Sequence, residues 1–173
     1  MAEPGLVLVS FMDHTPGQRQ WHDLDRYRTF HMGRSVASEA EFQAMIERRI
    51  AEQRLHATRN MARLTALLDG HKAVRASHDD TTAEHIDEAR ALGVTISEFP
   101  TTMVAAEAAR AAGLGIVMGA PNLVLGGSHS GNVAAGELAT AGLLDALSSD
   151  YVPASLVQAV FGLHARQGIA LPE

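Results

Sequence analysis

Five short apolar runs alternate with helical patterns along the chain. Each run ends in polar or small residues, and the runs extend over Gly5 to Asp13, Lys72 to Ser77, Val94 to Glu98, Gly115 to Gly119 and Leu143 to Ser148. Strands that alternate with helices are typical of βαβ units. The pattern therefore predicts an α/β fold with parallel strands, organised as one domain over residues 1–173.

The helices between these runs have recognisable starts and stops. Ser38 and Glu41 form a capping-box pattern, and the apolar spacing that follows predicts a long helix that stops at Gly70. A second helix is predicted from about Asp80 to Thr82 as far as Gly93, with Asp80 as a candidate cap. A third is predicted to start at Thr101 or Thr102 and to end at Gly113. Pro153 predicts the first turn of a final helix.

The charge, cysteine content and length of the chain limit its expected partners, its metal ligands and the size of its fold. The formal net charge is −6, and the 14 Lys and Arg residues are dispersed, so we expect neither nucleic acid nor a membrane as a partner. The chain has no Cys, which suits the cytoplasm and restricts any metal site to His and carboxylate ligands. A complete (β/α)8 barrel usually needs about 250 residues, and this chain has 173.

Three groups with metal-ligand chemistry follow apolar runs: His14 in FMDHTPG, His78 in RASHDD and Asp150 in LSSDY. In a parallel α/β barrel, strand ends meet at one mouth, so these residues are candidate ligands for zinc, manganese or a similar divalent ion. The alternative is that each histidine is a hydrogen-bonded structural residue, since the chain has nine.

Two polar segments suit phosphate oxygens. The stretch from Ala120 to Asn132 is predicted to be a loop. Its part GGSHSGN has backbone N–H groups and polar side chains that could bind phosphate oxygens. The alternative is that it is a mobile turn. In HTPGQRQ, the side chains of Gln18 and Arg19 leave a strand end together, although Arg19 could instead pair with Asp23. The candidate substrate-binding residues in the loop are Asn122, Ser128, His129 and Asn132.

Glu98 ends a strand in ISEFPTT, and its carboxylate could support a ligand, contact a substrate or serve as a structural acid. The aromatic residues Trp21, Tyr27 and Phe30 are predicted to pack together, with base or sugar stacking as a lesser option.

Four segments together resemble one family. MDHTPGQRQ, SHDDTTAEHIDEARALGVTISEFPTT, GIVMGAPNLVLGGSHSGN and LLDALSSDYVP are similar to the ribose 1-methylphosphonate 5-triphosphate diphosphatases (the PhnM family) of the amidohydrolase superfamily. The resemblance implies a TIM-like metal-dependent hydrolase barrel with one or two divalent metals. In that barrel His14 would be the strand-five ligand, His78 the strand-six ligand and Asp150 the strand-eight ligand and proton acceptor.

The resemblance also predicts what this chain lacks. The superfamily's HxH pair of strand one does not occur in the sequence. We therefore expect residues 1–173 to be the C-terminal half of the barrel, strands five to eight. Gly115 to Gly119 would be an extra short strand or an extended segment between the seventh and the eighth. The other half would come from the same gene or another chain, and we expect a homo-oligomer.

The implied reaction is hydrolysis of a sugar 5-triphosphate to the 5-phosphate and pyrophosphate in phosphonate breakdown. One alternative keeps the fold but opens a cyclic amide or deaminates. Another is a small doubly wound α/β module that binds a ligand without catalysis.

Overall fold

The computed structural model describes residues 5–32, 38–127 and 132–171. The chain divides into two compact units, one formed by residues 5–8 and 13–73 and the other by residues 9–12 and 74–171. Among the described residues, no helix combines the length and apolarity needed to cross a bilayer.

The first unit contains a short 3-10 helix (Arg19–Trp21) and two α-helices, α1 (Leu24–Met32) and α2 (Glu39–Leu68). Helix α2 starts at the predicted capping box, since the Ser38 side chain accepts from the N–H of Glu41 while Glu41 accepts from the N–H of Ser38. Helix α1 was not predicted from the sequence. Its start is stabilised by Asp23, whose carboxylate accepts from the N–H groups of Asp25 and Arg26.

An aromatic cluster forms the core of the first unit. Trp21, Tyr27, Phe42 and Ile46 are buried together, and Phe30 packs against them. The ring of Tyr27 lies edge-on to that of Trp21, with centroids 5.4 Å apart. The prediction that these aromatic residues pack together is confirmed.

The second unit contains a five-stranded sheet in the order β1-β2-β3-β4-β5. The strands are β1 (Leu8–Phe11), β2 (Val74–His78), β3 (Ile96–Glu98), β4 (Gly115–Gly119) and β5 (Ala146–Ser148). Strands β2 to β5 pair in parallel, which confirms the predicted α/β class.

Strand order distinguishes the two predicted architectures. Neighbouring strands in the sheet follow the order of the chain without a reversal, whereas a doubly wound sheet reverses at a switch point. For the described strands, the doubly wound alternative is therefore wrong and the succession is that of a (β/α) barrel. Gly115–Gly119 is a short strand that pairs with β3 on one side and β5 on the other, as one of the two forms expected for this segment.

The helices of this unit are α3 (Ala83–Ala91), α4 (Met103–Ala111), α5 (Ala120–Leu125), α6 (Ala135–Thr140) and α7 (Ser155–Gln167). Thr82 and Thr102 cap α3 and α4 through their hydroxyl groups. Gly93 and Gly113 follow these two helices with φ values of 73° and 77°, where glycine avoids the strain of a side chain. Helix α4 buries Ala105, Ala106 and Ala109.

Three local predictions are wrong. Ala120 to Leu125 is helical rather than a loop, since Pro121 fits the first turn and Gly126 ends the helix in a left-handed conformation. Asp80 is not a helix cap, because Thr82 has that place and the Asp80 carboxylate accepts from Ser77 and Ser97 instead. Pro153 precedes the final helix, which begins at Ser155.

Candidate functional site

The ends of β2 and β3 bring two candidate residues together. Their register places His78 directly opposite Glu98, and neighbouring parallel strands direct side chains at paired positions to the same face. The Nδ1 atom of His78 lies 3.3 Å from Oε2 of Glu98. His78 is 9% exposed, so this hydrogen bond is shielded from water.

Asp79 adds a second carboxylate at this edge. Its Oδ2 atom lies 3.8 Å from Nε2 of His78, and the residue is 3% exposed. Its backbone N–H donates to the carbonyl oxygen of Glu98, which holds the turn after β2 against β3. His78 therefore has a carboxylate near each of its two ring nitrogens.

The carboxylate of Glu98 accepts a further hydrogen bond from the hydroxyl of Ser10, in β1. The bond from His78 lowers the pKa of Glu98 below its ordinary value, with burial acting in the opposite direction and the Ser10 bond adding to the lowering. The anionic form of Glu98 is therefore favoured over the protonated one.

Phe99 and Gly119 surround the same edge. The ring of Phe99 packs edge-on against the ring of His78, with centroids 5.0 Å apart. A Cβ atom on Gly119 would stand 3.8 Å from Cε1 of Phe99 and 3.4 Å from Oδ2 of Asp150. Gly119 therefore lies close to both Phe99 and Asp150, while His78 and Glu98 contact each other directly.

Three residues after strand ends have left-handed backbones: Asp79 with a φ of 56°, Phe99 with 54° and Asp150 with 48°. Residues other than glycine rarely adopt the left-handed backbone conformation, and a bulky residue such as Phe99 is a clear outlier there. Such strain costs about 1–3 kcal/mol per residue and concentrates at functional sites. The repetition at one kind of position marks the carboxyl ends of the strands as the candidate site.

Three further predicted residues belong to the first unit. His14 is an exposed residue of the first unit. Gln18 and Arg19 belong to the same unit. Burial raises the pKa of Asp13 in this unit, but hydrogen bonds from Thr15 and Gln53, together with the charge of Arg19, lower it below its ordinary value. The roles of His14, Gln18 and Arg19 toward a metal or phosphate stay predictions. Asp23, the suggested partner of Arg19, binds the guanidinium of Arg26 at 3.4 Å.

Both polar atoms of the Asn122 side-chain amide are hydrogen-bonded to the backbone. Its Oδ1 accepts from the N–H of Ala135 at 2.8 Å, and its Nδ2 donates to the carbonyl of Val133 at 3.4 Å. It also lines a cavity of about 630 Å³ together with Glu137, Thr140 and Arg166. Ser128 and His129 lie outside the described residues, and Asn132 lies at the start of the next described segment. Substrate binding by this loop stays a prediction.

Sequence reasoning missed Ser10, Phe99 and Gly119. Ser10 carried a signal, as a polar residue within the apolar run GLVLVSFM. Phe99 and Gly119 carried none beyond their places at strand ends, because their importance comes from contacts between residues that are distant in the chain.

Comparison with known proteins agrees with the predicted resemblance. The chain is 50% identical over 156 residues to the alpha-D-ribose 1-methylphosphonate 5-triphosphate diphosphatase of Escherichia coli (strain K12). The chain is a homologue of this diphosphatase. The aligned region is 90% of the chain and 41% of the diphosphatase, so the chain spans less than half the length of this relative. No protein-family model matches the chain, and no solved structure matches it.

Proposed function

We propose that the chain takes part in the hydrolysis of alpha-D-ribose 1-methylphosphonate 5-triphosphate to the 5-phosphate and pyrophosphate, by metal-activated water. The observation that carries the proposal is the 50% identity to a diphosphatase named for this substrate. The strand-end residues described above support it, because they have the imidazole and carboxylate groups that hold a catalytic divalent metal.

The residues at the strand ends fit a divalent metal. Imidazole nitrogen and carboxylate oxygen are ligands that zinc and manganese accept, and a histidine whose other nitrogen is bonded to a carboxylate is the usual arrangement around such ions. His78 has that arrangement with Glu98. We propose His14, His78 and Asp150 as the ligands, one or two metals per complete site, with Asp79 as a further carboxylate beside His78.

When bound, a divalent metal would lower the pKa of a coordinated water and neutralise phosphate charge. Asp150 would accept the proton of the attacking water. The water oxygen forms a bond to one of the two phosphorus atoms of the α–β anhydride, the P–O bond from that atom to the bridging oxygen breaks, and the electron pair stays on the bridging oxygen of the other product. Arg19, Gln18 and the polar residues Ser128, His129 and Asn132 would bind the phosphate oxygens.

The sheet suggests what completes the site. In the described part of the chain, β1 and β5 each have a neighbouring strand on one side, and unpaired parallel edges favour pairing with further strands. We propose that such strands, from the same gene product or from another chain, complete a barrel and supply the remaining metal ligands, and that the complete protein is a homo-oligomer.

The test is pyrophosphate release from the sugar triphosphate by the purified complete protein, in which this chain is joined by the strands proposed above, with added zinc or manganese. We expect release with metal and loss of release after chelation, and we expect no ring opening of dihydroorotate. Asp150→Asn should lower turnover by more than about 100-fold, and its metal content is measured alongside, because Asp150 is also a proposed ligand. Turnover by Asp150→Asn at the wild-type rate would contradict the proton-acceptor role, and ring opening without pyrophosphate release would contradict the reaction.

A further inference from the structure

The orientation of His78 is set by residues from two other strands. Glu98 lies at its Nδ1 atom, and Ser10 donates to the same carboxylate oxygen, Oε2, that faces His78. Phe99 packs on the imidazole ring. Ser10 lies in β1 and Glu98 in β3, so the two sheet neighbours of β2 both contribute to holding the side chain that ends β2.

The two donors on Oε2 restrict the protonation of the imidazole. A glutamate is ionised near neutral pH and accepts hydrogen bonds but cannot donate them. The hydroxyl of Ser10 donates to Oε2, so the hydroxyl proton is committed to that oxygen. His78 can bond to Glu98 only if its Nδ1 atom has the proton. In the neutral imidazole, Nε2 then has the free lone pair.

Phe99 restricts the rotation of the same ring. Its backbone has a φ of 54°, which is unfavourable for an aromatic residue, yet this conformation places its ring edge-on to His78. The N–H of Phe99 donates to the carbonyl of Val117 at 2.8 Å, so the strained turn is fixed to β4. Phe99 therefore contacts His78 from a backbone that is itself fixed by the sheet.

We propose that Ser10, Glu98 and Phe99 are positioning residues for His78: Glu98, held by Ser10, fixes the Nδ1-protonated tautomer, and Phe99 fixes the ring, so that Nε2 is the nitrogen that binds the metal. This inference rests on the proposed function for the ligand role of His78. Of the three roles predicted for Glu98 it selects the support of a ligand, in which Glu98 acts through His78 rather than by touching the substrate.

The tautomer of His78 provides a test that needs no metal and no substrate. In the chain labelled with ¹⁵N-histidine, the His78 signals are assigned by their disappearance in His78→Asn. We expect wild-type His78 at pH 8 to show a protonated Nδ1 and an unprotonated Nε2. Glu98→Gln should populate the other tautomer, because an amide can donate to Nδ1 as well as accept from it. Glu88→Gln, on the exposed face of α3, should leave the tautomer unchanged.

Zinc affinity, measured by competition with a chromophoric chelator, provides the second readout. We expect Glu98→Gln to weaken zinc binding by about 10–100-fold, Ser10→Ala to weaken it by a smaller factor, and Glu88→Gln to bind as the wild type does. Ser10→Ala removes one hydroxyl group and keeps the test available if Glu98→Gln does not fold.

The possible failures are distinguishable. Wild-type tautomer and wild-type zinc affinity in both Glu98→Gln and Ser10→Ala would overturn the positioning role. Wild-type zinc affinity in His78→Ala would instead overturn the ligand role of His78 in the proposed function, while the tautomer measurement would still decide whether Glu98 sets the protonation of the ring.

Discussion

The carboxylate of Asp150 packs against the backbone of Gly119. A Cβ atom at Gly119 would lie 3.4 Å from Oδ2 and 3.7 Å from Cβ of Asp150. These are ordinary contact distances, so Gly119→Ala should fold, but any longer side chain would have to displace Asp150 or Phe99. The absence of a side chain larger than a methyl group at Gly119 is thus a condition for the present position of Asp150.

We expect Gly119→Val to lower the free energy of unfolding by about 1–3 kcal/mol, the usual effect of overpacking. Gly115→Val in the same strand is the matched control, since the nearest atoms to its Cβ position are 3.9 and 4.0 Å away. Urea unfolding of both variants measures the difference. An equal loss in the two variants would show that crowding around Asp150 is not the cause.

A second prediction concerns the buried carboxylate of Asp80. Asp80 is 0% exposed and accepts hydrogen bonds from the hydroxyl groups of Ser77 and Ser97. Asp80→Ala removes this acceptor from two buried donors, and we expect a loss of about 2–4 kcal/mol in the free energy of unfolding. Asp87→Ala on the exposed side of α3 should change it by less than about 0.5 kcal/mol. Similar effects of both substitutions in urea would contradict the structural role of Asp80.

A third prediction concerns the pH dependence of stability that comes from the carboxylate of Asp145. Burial raises its pKa, but the N–H of Ile116 at 2.7 Å and the guanidinium of Arg110 at 2.9 Å outweigh burial, and the net pKa is lowered below 3.8. A lowered pKa means that this carboxylate stabilises the fold above pH 3.8 and loses that contribution as the pH falls through the folded value.

Asp145→Asn keeps the shape but removes the charge. Its free energy of unfolding should be lower than that of the wild type by a constant amount from pH 5 to 7. This difference should be small, because the side chains of Arg110 and Asp145 are both half-exposed. It should shrink below about pH 3.8. Thermal unfolding across this pH range measures it. A deficit that grows toward acid pH would have the wrong sign for the proposed interaction.

The aromatic cluster of the first unit provides a fourth prediction. Phe42 is 2% exposed and packs with Trp21 and Tyr27. We expect Phe42→Ala to cost about 3–5 kcal/mol and to shift the emission of Trp21 to longer wavelength, because the indole becomes hydrated. Leu55→Ala on the same helix removes a side chain that is 73% exposed and should leave the emission unchanged. An unshifted spectrum in Phe42→Ala would contradict the described cluster.

The strands and the first two capped helices of the second unit could be predicted because their signals are local. Each strand is an apolar run, and Thr82 or Thr102 follows the strand at the place where a helix needs a cap. Helix α5 was missed because the polar and glycine residues after Leu125 led to the prediction of one loop from Ala120 to Asn132. Pro121 in the first turn and Gly126 at the end are nevertheless typical signals of a short helix.

The candidate site was predictable only in part. His78, Glu98 and Asp150 each end or follow a strand, so their places at the carboxyl ends of the sheet could be anticipated from parallel pairing. The hydrogen bond from His78 to Glu98 depends on the strand register, which no local pattern specifies. Asp80 was predicted to cap a helix because Asp commonly does so. Its carboxylate instead accepts hydrogen bonds from two buried serines, Ser77 and Ser97, on neighbouring strands.

The left-handed backbones of Asp79, Phe99 and Asp150 have a consequence for protein engineering. Glycine is free of strain in this region, so substituting glycine at any of the three positions should relieve the backbone while deleting a side chain of the candidate site. A search for stabilised variants should therefore select glycine here, and a search for active ones should reject it. Comparing the outcomes of the two selections at these three positions would separate the demands of folding from those of chemistry.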